Sequence, residues 1–203
     1  MKKTSLLLIV LLSSFLVVGQ SKKIGQMIEA GKLKYQLNDY HGAIQDFNEA
    51  IALNDKNPIA YYERGKAKDK LGDFYGAVQD FDSAISEDNK YFDAYVERGD
   101  VKNKKLRYKE ATSDYLKALE INHDDQKTLL KLGQTQMALM SYLESIQSFN
   151  HLIELDPNNA DAFYLRGLIH IHLNENDKGC KDLSKAGELG DYKAYEMINE
   201  YCK

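Results

Sequence analysis

The sequence predicts an all-α fold, a right-handed α-solenoid of five helical hairpins followed by a C-terminal capping helix. Three observations predict it. Glycine recurs at Gly31, Gly65, Gly99, Gly133 and Gly167, a constant step of 34 residues. Other columns keep that step: a small residue (Ala43, Ala77, Ala111, Ser145, Gly179), a large one (Phe47, Phe81, Tyr115, Phe149, Leu183), then Ala50, Ala84, Ala118, Leu152 and Ala186. An aromatic precedes the small residue at Tyr40, Phe74, Tyr108 and Tyr142, failing only at Asn176. Finally, a composition with two prolines in 203 residues and 29% charged residues favours helix over sheet. A period in this range marks a repeat architecture whose units bury their apolar faces only by stacking.

The elements follow in order. Lys2 and Lys3 precede an apolar run from Leu6 to Val18, which "VVGQ" closes. A basic start, an apolar segment of about a dozen residues and small residues at its end have the form of a secretory signal over 1–19. An uncleaved anchor is the alternative, but the segment falls short of the roughly 20 residues that span a bilayer. Residues 20–203 then read as one repeat domain. Its hairpins cover approximately 24–57, 58–91, 92–125, 126–159 and 160–189, with the capping helix at 191–202. Within a hairpin, small and large residues at four- and three-residue spacing share one helical face, and the column glycine admits the partner helix closely. Polar turns such as Leu37–Asp39 and Leu71–Asp73 join the two helices, while Pro58 and Pro157 separate repeats. After Leu189 the lattice shortens, because the dyad Ala60-Tyr61, Ala94-Tyr95, Ala162-Phe163 returns as Ala194-Tyr195, two residues early.

The repeats also supply an internal comparison. Arg64, Arg98 and Arg166 precede the column glycine, and Asp80, Asp114 and Asp182 follow 16 residues later in the same copies. Copy four has Leu132 and Ser148 there, and copy one Ala30 and Asp46. Joint loss of both charges in copy four is what a structural pair would show, because a lone buried charge is costly. The pairs Arg64–Asp80, Arg98–Asp114 and Arg166–Asp182 are therefore expected to bridge the helices of their hairpins. Cys180 and Cys202 are equidistant from residue 191, beside Gly190, where the chain must reverse. Residues equidistant from such a turn lie side by side in an antiparallel pair, and an exported chain meets an oxidising compartment. A Cys180–Cys202 disulfide is expected, with two buried thiols at a helix contact as the alternative.

The run "AYYERGKAKDKLGDFYGAVQDFDSAI" resembles the tetratricopeptide repeat, whose pattern has Gly, aromatic, Ala, aromatic and Ala at these offsets. The resemblance covers Ile24 to about Leu189, and copies four and five depart from it most. It implies a concave groove lined by the first helix of each hairpin. By repeat position the lining is Tyr62, Glu63, Lys66, Asp93, Glu97 and Asp100, then Lys127, Leu130, Lys131, Gln134, Tyr164 and Leu168. The first group is mainly acidic and the second mixes apolar and basic residues, a lining suited to a peptide or helix of a partner protein. Some members of that family hold a C-terminal carboxylate with Lys, Asn and Arg. Here Lys127 and Lys131 fit that set, but Tyr62, Lys66 and Glu97 occupy its other places and Glu97 would repel a carboxylate, so that mode is not expected.

Chemistry is sparse by comparison. His170 and His172 lie two apart, on different helical faces, and His41, His123 and His151 fall at helix ends or turns, so no metal site is expected. The run His123–Gln126 reads as an inter-repeat turn and helix cap. No P-loop, G-x-S-x-G or H-E-x-x-H motif occurs. The net charge of −4 with dispersed Lys and Arg argues against nucleic acid. The reading is a non-enzymatic, exported protein- or peptide-binding scaffold, periplasmic or secreted. It needs no cofactor, stays out of the membrane once the signal is cleaved, and is a monomer. A structural or self-assembling spacer, and a groove-assembled enzyme or carbohydrate-binding site, are the alternatives.

Overall fold

The computed structural model describes the backbone of residues 2–202 and the side chains of residues 19–202. The apolar run on which the secretory-signal reading rests lies outside the described side chains. Eleven helices and no strand occur among the described residues. They are α1 (Lys2–Gln36), α2 (Tyr40–Leu53), α3 (Pro58–Lys70), α4 (Phe74–Glu87), α5 (Phe92–Lys104), α6 (Tyr108–Ile121), α7 (Gln126–Ala138), α8 (Tyr142–Leu155), α9 (Ala160–His172), α10 (Asn176–Glu188) and α11 (Lys193–Tyr201). First-type helices begin at Pro58, Phe92, Gln126 and Ala160, and second-type helices at Tyr40, Phe74, Tyr108, Tyr142 and Asn176. The 34-residue step of the sequence is thus the step of the structure.

Side-chain caps set many of these starts. Asp39 and Asp73 each accept the amide of the residue three further on, both at 2.9 Å. Asn57, Asp125 and Asn159 do the same for α3, α7 and α9 at 3.0, 2.8 and 3.0 Å, each cap contributing about 1 kcal/mol. Pro58 is the first residue of α3, whereas Pro157 sits in the turn before the Asn159 cap. Each intra-hairpin turn passes through one left-handed residue: Asn38, Gly72, Leu106, Met140 and Asn174, again one repeat apart.

The helices divide between two compact units, residues up to Val101 and residues from Lys102. In the first, α1 packs on α2, α2 on α3 and α3 on α4. Its core holds Ile24, Ile28, Ala43, Phe47 and Ala50, and next to them Ala77, Phe81 and Val101. In the second, successive helices from α6 to α11 pack on one another. Tyr115, Leu129, Phe149 and Leu152 form one core there, and Leu183, Ala186 and Ala194 another. The knob column Phe47, Phe81, Tyr115, Phe149 and Leu183 is wholly buried, each side chain contributing on the order of 2 kcal/mol.

Departures from the pattern in copies four and five have local reasons. A Cβ on Gly133 would stand 2.5 Å from a ring carbon of Phe149, so that column glycine is sterically required. Ser145, in place of alanine, donates its hydroxyl to the Gly133 carbonyl at 2.7 Å. Gly179 occupies the same column in copy five because Ile171 fills the space, 2.7 Å from where its Cβ would be.

The charge pairs are present and belong to a larger set. Arg64 grips Asp80 through two bonds of 2.9 and 2.6 Å, and Arg166 grips Asp182 through two of 2.7 Å. Arg98 and Asp114 fall in different units, and their pairing is an expectation carried by the other copies. Lysine forms a second column that the sequence reading missed. Lys34, Lys68 and Lys102 reach Asp46, Asp80 and Asp114 at 2.8, 2.8 and 2.7 Å. In copy four Gln136 and Ser148 take those two places and bond each other at 2.7 Å. The arginines also reach the preceding hairpin, Arg64 to Asn48, Arg98 to Asp82 and Arg166 to Asn150. Cys180 and Cys202 are joined in a disulfide with their Cα atoms 5.7 Å apart, tying α10 to the end of α11.

Candidate partner-binding surface

Four of the six groove residues expected in the first unit gather around one spot, together with two tyrosines that the sequence did not single out. The Tyr62 ring lies 4.9 Å from the Tyr91 ring and 6.0 Å from buried Phe81. Tyr35 stands on the other side of Lys66. The Lys66 ammonium sits 5.2 Å from the Tyr35 ring centre and 5.0 Å from that of Tyr62, and bonds Glu63 at 2.9 Å. Both rings offer their faces to a cation, and the carboxylate completes the site. Of the remaining groove residues here, Asp93 is exposed at the start of α5 and Asp100 is half-buried further along it.

Electrostatics confirm a shared environment. Burial first, and then the charge of Glu97, pushes the Tyr35 hydroxyl up to about 12. Burial also raises Tyr62, helped by Glu97 and Asp93, and raises Tyr91, helped by Glu63 and Asp93. All three phenols stay neutral because ionising them would add negative charge where carboxylates already stand. The surface is therefore aromatic and acidic.

Tyr91 carries a sequence signal of its own. Its lattice place is that of Asn57, Asp125 and Asn159, which cap the following helices. A tyrosine cannot supply that cap. Copy three gives up about 1 kcal/mol of capping at the position that instead lays an aromatic ring on Tyr62.

The six groove residues expected in the second unit do not converge in the same way. Lys127 and Gln134 are exposed and Lys131 is half-buried. Leu130 packs on the core around Phe149, whereas Tyr164 and Leu168 pack on the cluster that α11 covers. A cavity of about 770 Å³ in this unit is lined mainly by charged side chains, among them Arg166, Lys178, Lys181 and Asp182, and by none of these six. The histidines also differ from expectation in part. His170 bonds Glu175 at 2.6 Å and His172 stacks on Tyr142, but His123 and His151 come together beside Asp124. Their distance in sequence hid this.

A run of paired helices repeating every 34 residues defines a class, the helical-repeat proteins. Tetratricopeptide repeat profiles match residues 31–72, 59–91, 92–125, 126–159 and 148–181. The chain belongs to the tetratricopeptide repeat family. No curated protein matches it in sequence. Among solved structures, YrrB, a TPR protein with an unusual peptide-binding site, is similar at a TM-score of 0.77 and 22% identity, over 89% of this chain and 97% of its own. MamA from Desulfovibrio magneticus RS-1 is similar at 0.75 and 20%, over 82% and 94%. PilF of Pseudomonas aeruginosa is similar at 0.70 and 14%, over 85% and 78%. At these identities the likeness is one of fold.

Proposed function

We propose that the chain is a non-enzymatic scaffold whose first unit captures a basic segment of a partner protein. The observation that carries this is Lys66, whose ammonium lies between the faces of Tyr35 and Tyr62 against Glu63. The protein's own lysine supports a match between this face and a cation, and a lysine or arginine of a partner is the matching ligand. Aromatic faces provide about 0.5–2 kcal/mol per cation, and the carboxylates of Glu63, Asp93 and Glu97 set register and speed encounter. A peptide-binding site in a relative of the same fold supports the general mode.

The same reading makes the chain a monomer acting in the cell envelope or outside the cell. The Cys180–Cys202 disulfide suits an oxidising compartment. Among the described residues, no helix is long and apolar enough to cross a membrane.

The test is fluorescence anisotropy with labelled peptides of equal length, one rich in lysine and arginine, one rich in glutamate. The basic peptide should bind and salt should weaken it. Glu97→Lys and Tyr62→Ala should each reduce its affinity several-fold. Equal binding of both peptides, or affinity that survives both substitutions, would sink the proposal.

A further inference from the structure

Three side chains with metal-ligand chemistry meet away from the tyrosine face. His123 and Asp124 belong to the turn between α6 and α7, and His151 to α8. Asp124 Oδ1 lies 3.0 Å from His123 Nδ1 and 3.2 Å from His151 Nε2, and the three ligand atoms are all within 4.8 Å of one another. A tetrahedral ion with bonds of about 2.0–2.2 Å to nitrogen and oxygen holds its ligand atoms roughly 3.3–3.5 Å apart. Two of the three edges are therefore within a few tenths of an ångström of that value. The third can close by rotation of the exposed His123 ring.

The repeat lattice shows that the fold does not ask for these residues. The places of His123 hold Asp55, Asn89 and Pro157 in other copies, and those of Asp124 hold Lys56, Lys90 and Asn158. The places of His151 hold Glu49, Ser83, Lys117 and Lys185. One copy boundary replaces a lysine by an aspartate and adds an imidazole on each side of it. The turn itself is fixed by other residues, since Asn122 N–H donates to the Ala118 carbonyl and Asp125 caps α7. The three ligands stand on a preformed scaffold.

We propose that His123, Asp124 and His151 bind one divalent transition-metal ion of the zinc class, with water completing the coordination. Two imidazoles and one carboxylate are the donor set that borderline ions prefer over the all-oxygen sets of calcium and magnesium. The bound ion clamps the turn after the third hairpin to the second helix of the fourth. This site is independent of the basic-segment reading, and the two fail separately.

Isothermal titration of the untagged full chain with zinc chloride tests it. One equivalent of zinc should bind, and cobalt(II) in its place should give the intense visible absorption of a four-coordinate ion. His123→Ala, Asp124→Asn and His151→Ala should each weaken zinc by more than about tenfold, the loss that even an outer-sphere partner of a metal ligand causes. His41→Ala, an exposed histidine elsewhere, should leave it unchanged. His123 and Asp124 are exposed, so their variants keep the fold, as far-UV circular dichroism would verify. Absence of binding up to about 1 mM zinc overturns the proposal. So does binding that survives all three substitutions, or that His41→Ala removes equally.

Discussion

Removal of the Asp80 carboxylate tests whether the charge network is structural. Asp80 is buried and accepts two bonds from Arg64 and one from Lys68. Asp80→Ala leaves both cations facing a hole. Deleting one partner of a buried pair costs about 3–5 kcal/mol, and the low end applies because the Arg64 and Lys68 side chains keep about one-fifth of their surface in water. Arg64 also retains Asn48 at 2.6 Å and the face of Tyr61. Copy four shows a different solution at the same four places: Leu116 and Leu132 line one cleft, and Gln136 bonds Ser148. The combined variant Asn48→Leu, Arg64→Leu, Lys68→Gln and Asp80→Ser transplants that set. It should lose only about 0–1 kcal/mol, since replacing a complete buried ion pair is often neutral. A loss of 3 kcal/mol corresponds to a fall in melting temperature of about 6–12 °C in a chain of this size. Melting followed at 222 nm therefore separates the two variants readily. Equal falls for the single and the fourfold variant would refute the reasoning, as would a single variant as stable as wild type.

Three further outcomes follow from the lattice and the tyrosine face. Leu106 is 70% exposed at a φ of 59°, where Gly72 stands one repeat earlier, so Leu106→Gly should stabilise by about 1 kcal/mol by urea denaturation. Ala30 is exposed where other copies carry the pairing arginine, and Asp46 Oδ2 is buried without a hydrogen-bond partner. Ala30→Arg should supply that partner and raise stability by about 1 kcal/mol, measured the same way. The raised tyrosines bear on alkaline pH. Their folded pKa values exceed the unfolded value of 10, so their contribution is complete below pH 10 and is lost as pH rises through about 12 for Tyr35. Titration at 295 nm should show three late tyrosinates in the folded protein that ionise near pH 10 in urea, and uniform titration near 10 when folded would contradict the burial.

Most of the fold was legible because a repeat is its own alignment. Five copies of one spacing located the helices, the knob column and the small column, and the paired loss of Arg and Asp in copy four pointed to a bridge between helices. The reading stopped at relations that a column does not display. Lys34, Lys68 and Lys102 repeat at the same step, but the step alone does not show that Lys68 shares the carboxylate of Asp80 with Arg64. Tyr35 lies in a column that otherwise holds Asp69, Asn103, Met137 and Ile171, and Tyr91 in one otherwise filled by capping Asn or Asp, so neither registers as a repeat. His123 and His151 belong to different copies, the one in the turn after α6 and the other on α8, so no single column brings them together. Groove residues carried over from the family were gathered in the first unit and divided in the second, where copies four and five fill the equivalent places with core-forming leucine and tyrosine.

Breaks of this kind have an energetic meaning that Tyr91→Asn can measure. At the equivalent places Asn57 and Asn159 bond the amide three residues on at 3.0 Å, and α5 would gain the same cap. The substitution removes a half-buried ring that stacks on Tyr62, a loss of about 0.5–1.5 kcal/mol, against a capping gain of about 1 kcal/mol. Stability should therefore change little in either direction. Binding is a different matter, because the ring contributes nothing to the hairpin that asparagine does not replace, yet it backs Tyr62 in the cation site. The basic peptide should bind Tyr91→Asn several-fold more weakly at unchanged melting temperature. If stability fell by 3 kcal/mol or more while affinity held, Tyr91 would be a core residue and the tyrosine face would lose its claim as a site.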